Sequence, residues 1–243
     1  MKIDIRLSPS KMNLLYECPR CFWLANKKIL ARAEGISAGI PKGMDRTLKE
    51  YYDRFAGVLP PDIAGKVPGH LCPDREWLRQ RRNWRTGVRY ANEALGVEVV
   101  GALDECLVNG QEYMPLDYKT KANEPEDSGA QYYQLQQDFY MLALKHEGFK
   151  INGKAYLVYY WPVAVQASTK SEATFDMTCL VNYRFGSKVF ELDCSEKRAL
   201  AVIEQSVKVL RGDMPAPGPE CKYCQYAADY RRQCPDGNLA FAQ

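Results

Sequence analysis

The chain has 243 residues, of which 46% are hydrophobic, 12% aromatic and 26% charged. This composition excludes an intrinsically disordered or fibrous chain and is enough for a full-sized core. The net charge of +3 is too small to indicate a nucleic-acid partner by itself, so a local basic patch would have to provide that signal.

No segment of the sequence predicts membrane insertion or secretion. The longest apolar run, residues 156–165, is shorter than the ~18 residues of a membrane span and contains Pro162. The first six residues carry Lys2, Asp4 and Arg6, where a secretory signal has an apolar stretch. We therefore expect a cytoplasmic protein with no membrane partner. In a reducing compartment, nine cysteines indicate free thiols or metal ligands rather than disulfides.

Helical signals come first along the chain. Ser8 is a candidate N-cap followed by a proline, which predicts a helix over 9–18, and apolar spacing predicts a second helix over 44–55. A third helical segment, 75–90, interleaves six arginines with two tryptophans. A basic helix of this kind can bind phosphates while its aromatic rings stack on bases.

For this basic segment we predict four DNA-binding residues: Arg79, Arg82, Trp84 and Arg85. The alternative is a solvated helix whose tryptophans face the core.

Two β-rich runs, 97–104 and 113–119, flank Asn109 and the glycine after it, which predicts a β-hairpin. A four-residue loop would place Asp104 directly opposite Asp117, and a two-residue turn would offset the pair by two positions. In both registers the two carboxylates share one face of the hairpin, whereas a three-residue loop would separate them.

Lys119 shares the face of Asp117 because it lies two residues further along the same strand. Two carboxylates this close repel each other unless a positive group lies between them, and the candidates are a divalent cation and the lysine ammonium. Mg²⁺ or Mn²⁺ bound by Asp104 and Asp117 would polarise a phosphodiester and acidify a water, with Lys119 assisting. The alternative is a surface hairpin with a solvated ion pair.

The second half of the chain alternates helical and strand-like patterns. Helices are predicted over 129–146 and 195–210, and strands over 155–163 and 173–183, the first of them almost entirely apolar. The result is an α/β fold with helices around a small central set of strands.

These motifs, in this order, resemble the PD-(D/E)xK nuclease superfamily, in the branch of the RecB nuclease domain and the CRISPR-associated adaptation exonucleases. The matching segments are Gly101-Ala102-Leu103-Asp104, Leu116-Asp117-Tyr118-Lys119-Thr120, Gln136 with Tyr140, Leu7-Ser8-Pro9-Ser10 through Tyr16-Glu17-Cys18-Pro19-Arg20, and the terminal cysteines. The resemblance covers nearly the whole chain.

The resemblance implies a restriction-endonuclease-like core, a small mixed sheet flanked by helices. It implies one nuclease-like domain over 1–243, with its catalytic core at 95–192 and a metal-clasped subdomain formed by 1–30 and 213–243. The implied catalytic residues are Asp104, Asp117, Lys119, Gln136 and Tyr140. The two aspartates would bind the metal, and Gln136 and Tyr140 would line the substrate path.

One position departs from the family pattern. Many relatives have a metal-binding histidine four residues after a glycine in the early helix, and the matching position after Gly43 is Thr47. Asp45, Glu50 or Asp53 are the alternatives, and Asp45 is our choice of third ligand because it lies nearest the glycine. Without such a ligand we expect weak metal binding or loss of activity.

The cysteines include two C-x2-C pairs, Cys18 with Cys21 and Cys221 with Cys224, one near each end of the chain. Four thiolates from these pairs suit tetrahedral Zn²⁺ or an iron-sulfur cluster, and either would tie the terminal segments together. The solitary thiols Cys72, Cys106, Cys179 and Cys194 are predicted to be buried structural residues.

The resembling nucleases often bind a [4Fe-4S] cluster through one early and three late cysteines. That pattern would replace Cys21 with Cys234, but the interval between Cys224 and Cys234 is longer than the family's. We therefore predict the two C-x2-C pairs as ligands, with a [4Fe-4S] cluster as first choice, Zn²⁺ as the alternative, and Cys234 as the substitute for Cys21.

The leading hypothesis is a Mg²⁺- or Mn²⁺-dependent DNA nuclease, an exonuclease acting on single strands or DNA ends. A second hypothesis is a DNA-binding module without activity, suggested by Thr47 and by the arginine-tryptophan segment. A third is a subunit that works with other DNA-processing proteins, as in CRISPR adaptation or recombination.

Overall fold

A computed structural model of the chain describes residues 2–33, 39–163 and 184–234. These residues form two compact units, each built from separate stretches of the chain. The first unit comprises Met1–Ser37, Tyr90–Val100 and Lys197–Gln243, and the second comprises Ala38–Arg89 and Gly101–Glu196. The predicted organisation as one domain stays a prediction.

The regular elements of the described residues follow in chain order. The helices are α1 (Pro9–Glu17), α2 (Pro19–Asn26), α3 (Gly39–Asp53), α4 (Arg75–Arg81), α5 (Gln134–His146), α6 (Glu196–Arg211) and α7 (Lys222–Gln233), with a 3₁₀ helix at Asp127–Tyr133. The strands are β1 (Ile5–Leu7), β2 (His70–Leu71), β3 (Val88–Asn92), β4 (Val97–Gly101), β5 (Glu105–Asn109), β6 (Glu112–Thr120), β7 (Lys150–Ile151), β8 (Lys154–Pro162) and β9 (Phe185–Asp193). None of the helices in these ranges is long and apolar enough to cross a membrane.

The second unit is built on a mixed sheet with strand order β2-β5-β6-β8-β9, to which β7 adds by pairing with β6. β5 and β9 run antiparallel to their neighbours, whereas β6 and β8 are parallel. The parallel pair needs a crossover, which the 3₁₀ helix and α5 provide. The predicted α/β fold with a mixed sheet flanked by helices is confirmed.

The central strand β6 is buried on both faces, and its alternating side chains therefore have different neighbours. Its residues Met114, Leu116 and Tyr118 join a core with Leu48 and Tyr52 of α3. On the opposite face, Asp117 lies against α5, where Gln136 contacts its carboxylate. The strand thus carries apolar residues towards α3 and polar residues towards α5.

The three-stranded sheet β1-β4-β3, in which β1 and β4 are parallel, is built mainly from residues of the first unit. Ser8 caps α1 by accepting a hydrogen bond from the backbone N–H of Lys11, as the sequence predicts. Cys18 ends α1 and also caps α2, so the first C-x2-C pair lies at the junction of two short helices.

Some predicted elements were wrong in their bounds. The predicted strand 97–104 contains only β4, which ends at Gly101 and pairs with β1 in one sheet. The hairpin partner of β6 in the other sheet is β5, which begins at Glu105. The predicted helix 75–90 ends at Arg81, and β3 begins at Val88. The predicted strand 155–163 is confirmed as β8. The predicted strand 173–183 lies outside the described residues, and β9 was not predicted.

Candidate functional site

The β5–β6 hairpin has the register that places the two predicted carboxylates opposite each other. Glu105 pairs with Leu116 and Asn109 pairs with Glu112, so the turn consists of Gly110 and the residue after it. Gly110 has φ +60°, a conformation that favours glycine. Asp104 directly precedes β5 and therefore continues this register towards Asp117.

The Lys119 ammonium lies next to both carboxylates. Its Nζ is 2.6 Å from Oδ2 of Asp117 and 3.9 Å from Oδ2 of Asp104. The Asp117 side chain is fully buried, whereas those of Asp104 and Lys119 are 15% and 22% exposed. The three groups therefore form a polar cluster that is closed behind Asp117 and open to solvent at Asp104 and Lys119.

Burial and the nearby charge of Asp104 raise the pKa of Asp117 to about 8, against the lowering effect of Lys119. Burial acts to lower the pKa of Lys119, but the charges of Asp117 and Asp104 raise it above its ordinary value. Lys119 is therefore held as a cation, and burial together with the negative charge of Asp104 disfavours the ionised form of Asp117.

Helix α5 brings Gln136 and Tyr140 to the same cluster. Gln136 Nε2 donates to Asp117 Oδ1 at 3.4 Å and to the Tyr140 hydroxyl at 2.6 Å. Tyr140 in turn donates to the backbone carbonyl of Ala102, two residues before Asp104. Gln136 and Tyr140 thus connect the buried Asp117 carboxylate to the loop that carries Asp104.

Gly101 allows α5 to pack closely on this loop. A Cβ atom at this position would lie 2.8 Å from the rings of both Phe139 and Tyr140, too close for any side chain without a shift of the rings. The glycine of the Gly-x-x-Asp motif is therefore required by helix packing.

Asp45 reaches the cluster through a lysine that the sequence analysis did not single out. Lys49 Nζ lies 2.8 Å from Asp45 Oδ2 and 3.5 Å from Asp104 Oδ1. Thr47 donates to the carbonyl of Gly43 within its own helix, at 3.1 Å. The i, i+4 spacing of Asp45 and Lys49 on α3 was the available signal.

Glu105, an acid that the sequence analysis did not single out, is fully buried beside Asp104. Arg75 Nη1 donates to both of its carboxylate oxygens, at 3.0 and 2.8 Å, and Arg82 Nη2 lies 3.4 Å away. Burial raises the pKa of Glu105 against the lowering effect of Arg75. Arg82 also donates through Nε to the carbonyl of Asp104 at 2.7 Å. This network fixes the backbone that carries the first carboxylate.

The predicted DNA-binding residues have different surroundings. Arg82 is directed inward to Asp53, Asp104 and Glu105. Trp84 is 72% exposed, and the Arg85 guanidinium lies 4.8 Å from its ring centroid.

Arg79 is exposed and pairs with Glu76. Trp77, in contrast, packs on Tyr113 and Phe149. One tryptophan of the segment is therefore half-buried in an aromatic cluster, and the other is available at the surface.

In the first unit, the two C-x2-C pairs come together. The Sγ atoms of Cys18, Cys21, Cys221 and Cys224 all lie within 4.8 Å of one another. Cys18 and Cys224 are 3.7 Å apart, Cys21 and Cys221 are 3.6 Å apart, and Cys21 and Cys224 are 3.7 Å apart. The clustering predicted from the sequence is confirmed.

Nitrogen donors surround these sulfurs. The backbone N–H of Gly218 donates to Cys18 Sγ at 3.2 Å, and Arg32 Nη2 donates to Cys221 Sγ at 3.6 Å. Burial acts to raise the pKa of Cys18, but the N–H donors of Gly218 and Cys21 lower it to about 6. Such donors stabilise the thiolate form that binds metals.

The other cysteines of the described ranges are not members of this cluster. Cys72 and Cys106 are buried, as predicted, and Cys194 is half-buried. Cys179 lies outside the described residues. Cys234 ends α7 and is not a member of the four-sulfur group.

Comparison with known proteins gives one family match. The model of the PD-(D/E)XK nuclease superfamily matches residues 71–235, a range that contains both sequence motifs of the hairpin, α5 and the second C-x2-C pair. A search of curated proteins finds no match for the chain.

Proposed function

The chain belongs to the PD-(D/E)XK nuclease superfamily, and from this premise we propose that it is a divalent-metal-dependent DNA nuclease whose reaction takes place at Asp104, Asp117 and Lys119. The observation that supports this proposal best is the position of the Lys119 ammonium, 2.6 Å from one carboxylate and 3.9 Å from the other. The carboxylate oxygens thus face a common space at the edge of the hairpin.

The donor set fits Mg²⁺ or Mn²⁺, which prefer carboxylate oxygens. Asp117 is buried and Asp104 adds a second negative charge, so a cation between them would relieve their repulsion. Asp104 and Asp117 are the proposed ligands. A divalent cation at this position supplies electrophilic activation of a phosphodiester and a more acidic water.

The neighbouring side chains have distinct proposed roles. Lys119 orients the attacking water and stabilises negative charge that develops on the phosphate. Gln136 and Tyr140 line the substrate path, and their hydrogen bonds to Asp117 and to the Ala102 carbonyl also hold the two carboxylates in place. Arg82 acts as a positioning residue for Asp104 through its bond to the Asp104 carbonyl.

We propose Asp45 as a third ligand, which requires the Lys49 ammonium to move away from both Asp45 and Asp104. The Lys49 ammonium forms ion pairs with both of these carboxylates. Its position therefore indicates a place where the same two carboxylates could bind a divalent cation instead.

The proposed substrate is single-stranded DNA or a DNA end, cut as an exonuclease. The exposed ring of Trp84, with the Arg85 guanidinium beside it, supports this choice because such a pair can stack on an unpaired base and contact its phosphate. Arg79 is a further proposed phosphate contact. A cytoplasmic location and other DNA-processing proteins as partners remain predictions of the sequence.

For the cysteine centre, we propose Zn²⁺ rather than the [4Fe-4S] cluster that the sequence analysis placed first. Four sulfurs at about 2.3 Å from one tetrahedral ion are about 3.8 Å apart. Three of the six sulfur separations are 3.6–3.7 Å, close to that spacing, and all six are within 4.8 Å. A four-iron cluster places each thiolate on a different iron and would hold the sulfurs further apart.

The first test is cleavage of end-labelled single- and double-stranded DNA in Mn²⁺ by the wild type, Lys119→Ala and Asp104→Ala. We expect the wild type to cut DNA and each variant to lose at least ~100-fold in rate. Lys154→Ala is the matched control, because this lysine forms ion pairs with Glu191 and Asp193 on the same sheet. Equal cleavage by Lys119→Ala and the control would contradict the proposal.

A second candidate function is a DNA-binding module without cleavage. It is favoured by the position of Lys49 beside Asp104, together with Thr47 at the position where many members of the resembled branch have a histidine. Salt-dependent DNA binding by the wild type, with no cleavage in Mg²⁺ or Mn²⁺, would support this function. Cleavage that appears only after addition of a co-purifying protein would instead indicate a subunit of a larger assembly.

A further inference from the structure

A cavity of about 380 Å³ lies beside the cysteine centre, within the first unit. It is bordered by α2, the segment after α2, and α7. Its lining includes Cys21 and Cys224, and its other members are cationic, aliphatic or aromatic; those used here are Arg20, Arg32, Arg231, Ile29, Leu30 and Tyr223. The volume lies in the range of about 300–1,000 Å³ that is typical of ligand sites.

Besides the Cys21 and Cys224 sulfurs, the charged part of the lining is cationic. Three arginines border the cavity, and no aspartate or glutamate does so among the described residues. Arg20 uses its Nε to donate to the Pro215 carbonyl at 3.0 Å, and Arg32 pairs with Glu17, outside the cavity lining. The Arg231 guanidinium forms no hydrogen bond or ion pair with any other residue in the described ranges. The cavity therefore has charge available for an anionic ligand.

The remaining lining is unusually apolar for a surface. Ile29 and Leu30 are 61% and 64% exposed, and the ring of Tyr223 is half-exposed with the Arg32 guanidinium 4.6 Å from its centroid. Exposed apolar groups gathered around a cavity mark a binding surface. An aromatic ring that is held by a cation on one side is suited to stack on a planar ligand.

We propose that this cavity binds one nucleotide of single-stranded DNA, with the phosphate at Arg231 and Arg20 and the base against Tyr223, Ile29 and Leu30. The inference rests on the proposed function for the choice of DNA as ligand. Charge complementarity selects an anion, and the aromatic and aliphatic lining selects an anion that carries a flat apolar group, two properties that a nucleotide combines.

The test measures binding of a fluorescent oligo-dT of about 12 nucleotides to the full chain carrying Lys119→Ala, which prevents cleavage of the probe. Arg231→Ala in this background should weaken binding about tenfold and reduce the slope of log K against log salt by about 0.7 per lost phosphate contact. Arg232→Ala is the matched control, because Arg232 follows on the same helix, pairs with Asp229 and does not line the cavity. It should leave affinity and slope unchanged.

Photocrosslinking gives a direct readout of the site. An oligonucleotide that carries 5-iodouracil should form its adduct with Tyr223, mapped by mass spectrometry. Tyr226, three residues further along α7, is 72% exposed but does not line the cavity. An adduct on Tyr226 and none on Tyr223 would overturn the proposal.

Measuring the metal content of the variants distinguishes two roles of these arginines. They could contact DNA, or they could only stabilise the negative charge of the cysteine thiolates. If Arg231→Ala loses bound metal and keeps wild-type DNA affinity, the proposal is wrong. A wild type that cuts DNA, together with Arg231→Ala that binds it normally, overturns the cavity inference alone. A wild type that never cuts DNA but binds it through Arg231 refutes the nuclease proposal and leaves the cavity inference standing.

Discussion

Charges of alternating sign run through the candidate active site at the scale of single residues. Asp45 contacts Lys49, Lys49 contacts Asp104, and Lys119 contacts both Asp104 and Asp117. Each carboxylate therefore has an ammonium beside it, which offsets the repulsion that burial would otherwise intensify. The proposed divalent cation would add a further positive charge between Asp104 and Asp117 and offset part of their repulsion.

The arginine network beneath Asp104 leads to a prediction for stability. Arg75→Ala leaves the fully buried Glu105 with Arg82 as its nearest cation, so we expect a loss of about 3 kcal/mol in the free energy of unfolding. Arg79→Ala removes an exposed ion pair of the same helix and should leave stability unchanged. Urea denaturation of both variants measures the difference, and equal midpoints would contradict the buried role of Arg75.

The sequence was sufficient to group Asp117 with Lys119, because the two-residue period of a strand fixes their common face. The addition of Asp104 to this group depended on the length of the hairpin loop, which the sequence left open. It could not show the role of Arg82, whose partner is a backbone carbonyl of another segment. An arginine count predicts a basic surface, but only the tertiary fold decides which guanidinium is directed inward.

At the scale of elements, strand existence was more predictable than strand pairing. Residues 97–109 form a nearly continuous β-rich run, yet β4 and β5 belong to different sheets. Gly101 ends β4 at this break, but an isolated glycine in a strand pattern is equally typical of a bulge. α7 was not predicted as a helix because it buries none of its side chains and so has no apolar periodicity.

The ends of α1, α2 and α7 carry the cysteine centre, which makes its ligand set testable. Cys21→Ser should abolish stoichiometric metal binding and lower the midpoint of thermal unfolding by about 10 °C, because four-thiolate binding is coupled to folding. Cys234→Ser removes a thiol outside the group and should retain the metal. Elemental analysis of the two variants measures their metal content, and it also distinguishes zinc from iron. Metal loss in Cys234→Ser but not in Cys21→Ser would contradict the assignment.

At the scale of the whole molecule, the two compact units interleave along the chain. The first unit takes three stretches of sequence and the second takes two, so the chain passes between units four times. The first of these passages lies in a stretch with three glycines and one proline, residues 35–43, whereas the single domain was predicted from the family resemblance. The carboxylate site lies in one unit and the cysteine centre in the other.

The central claim is that Asp104 and Asp117 together bind one divalent cation beside Lys119. Anomalous X-ray diffraction from crystals soaked in Mn²⁺ tests it most directly. We predict one anomalous peak within bonding distance, about 2.0–2.3 Å, of a carboxylate oxygen from each aspartate, and its loss in Asp117→Asn crystals. Manganese bound elsewhere in the chain, with none between these two carboxylates, would contradict the account.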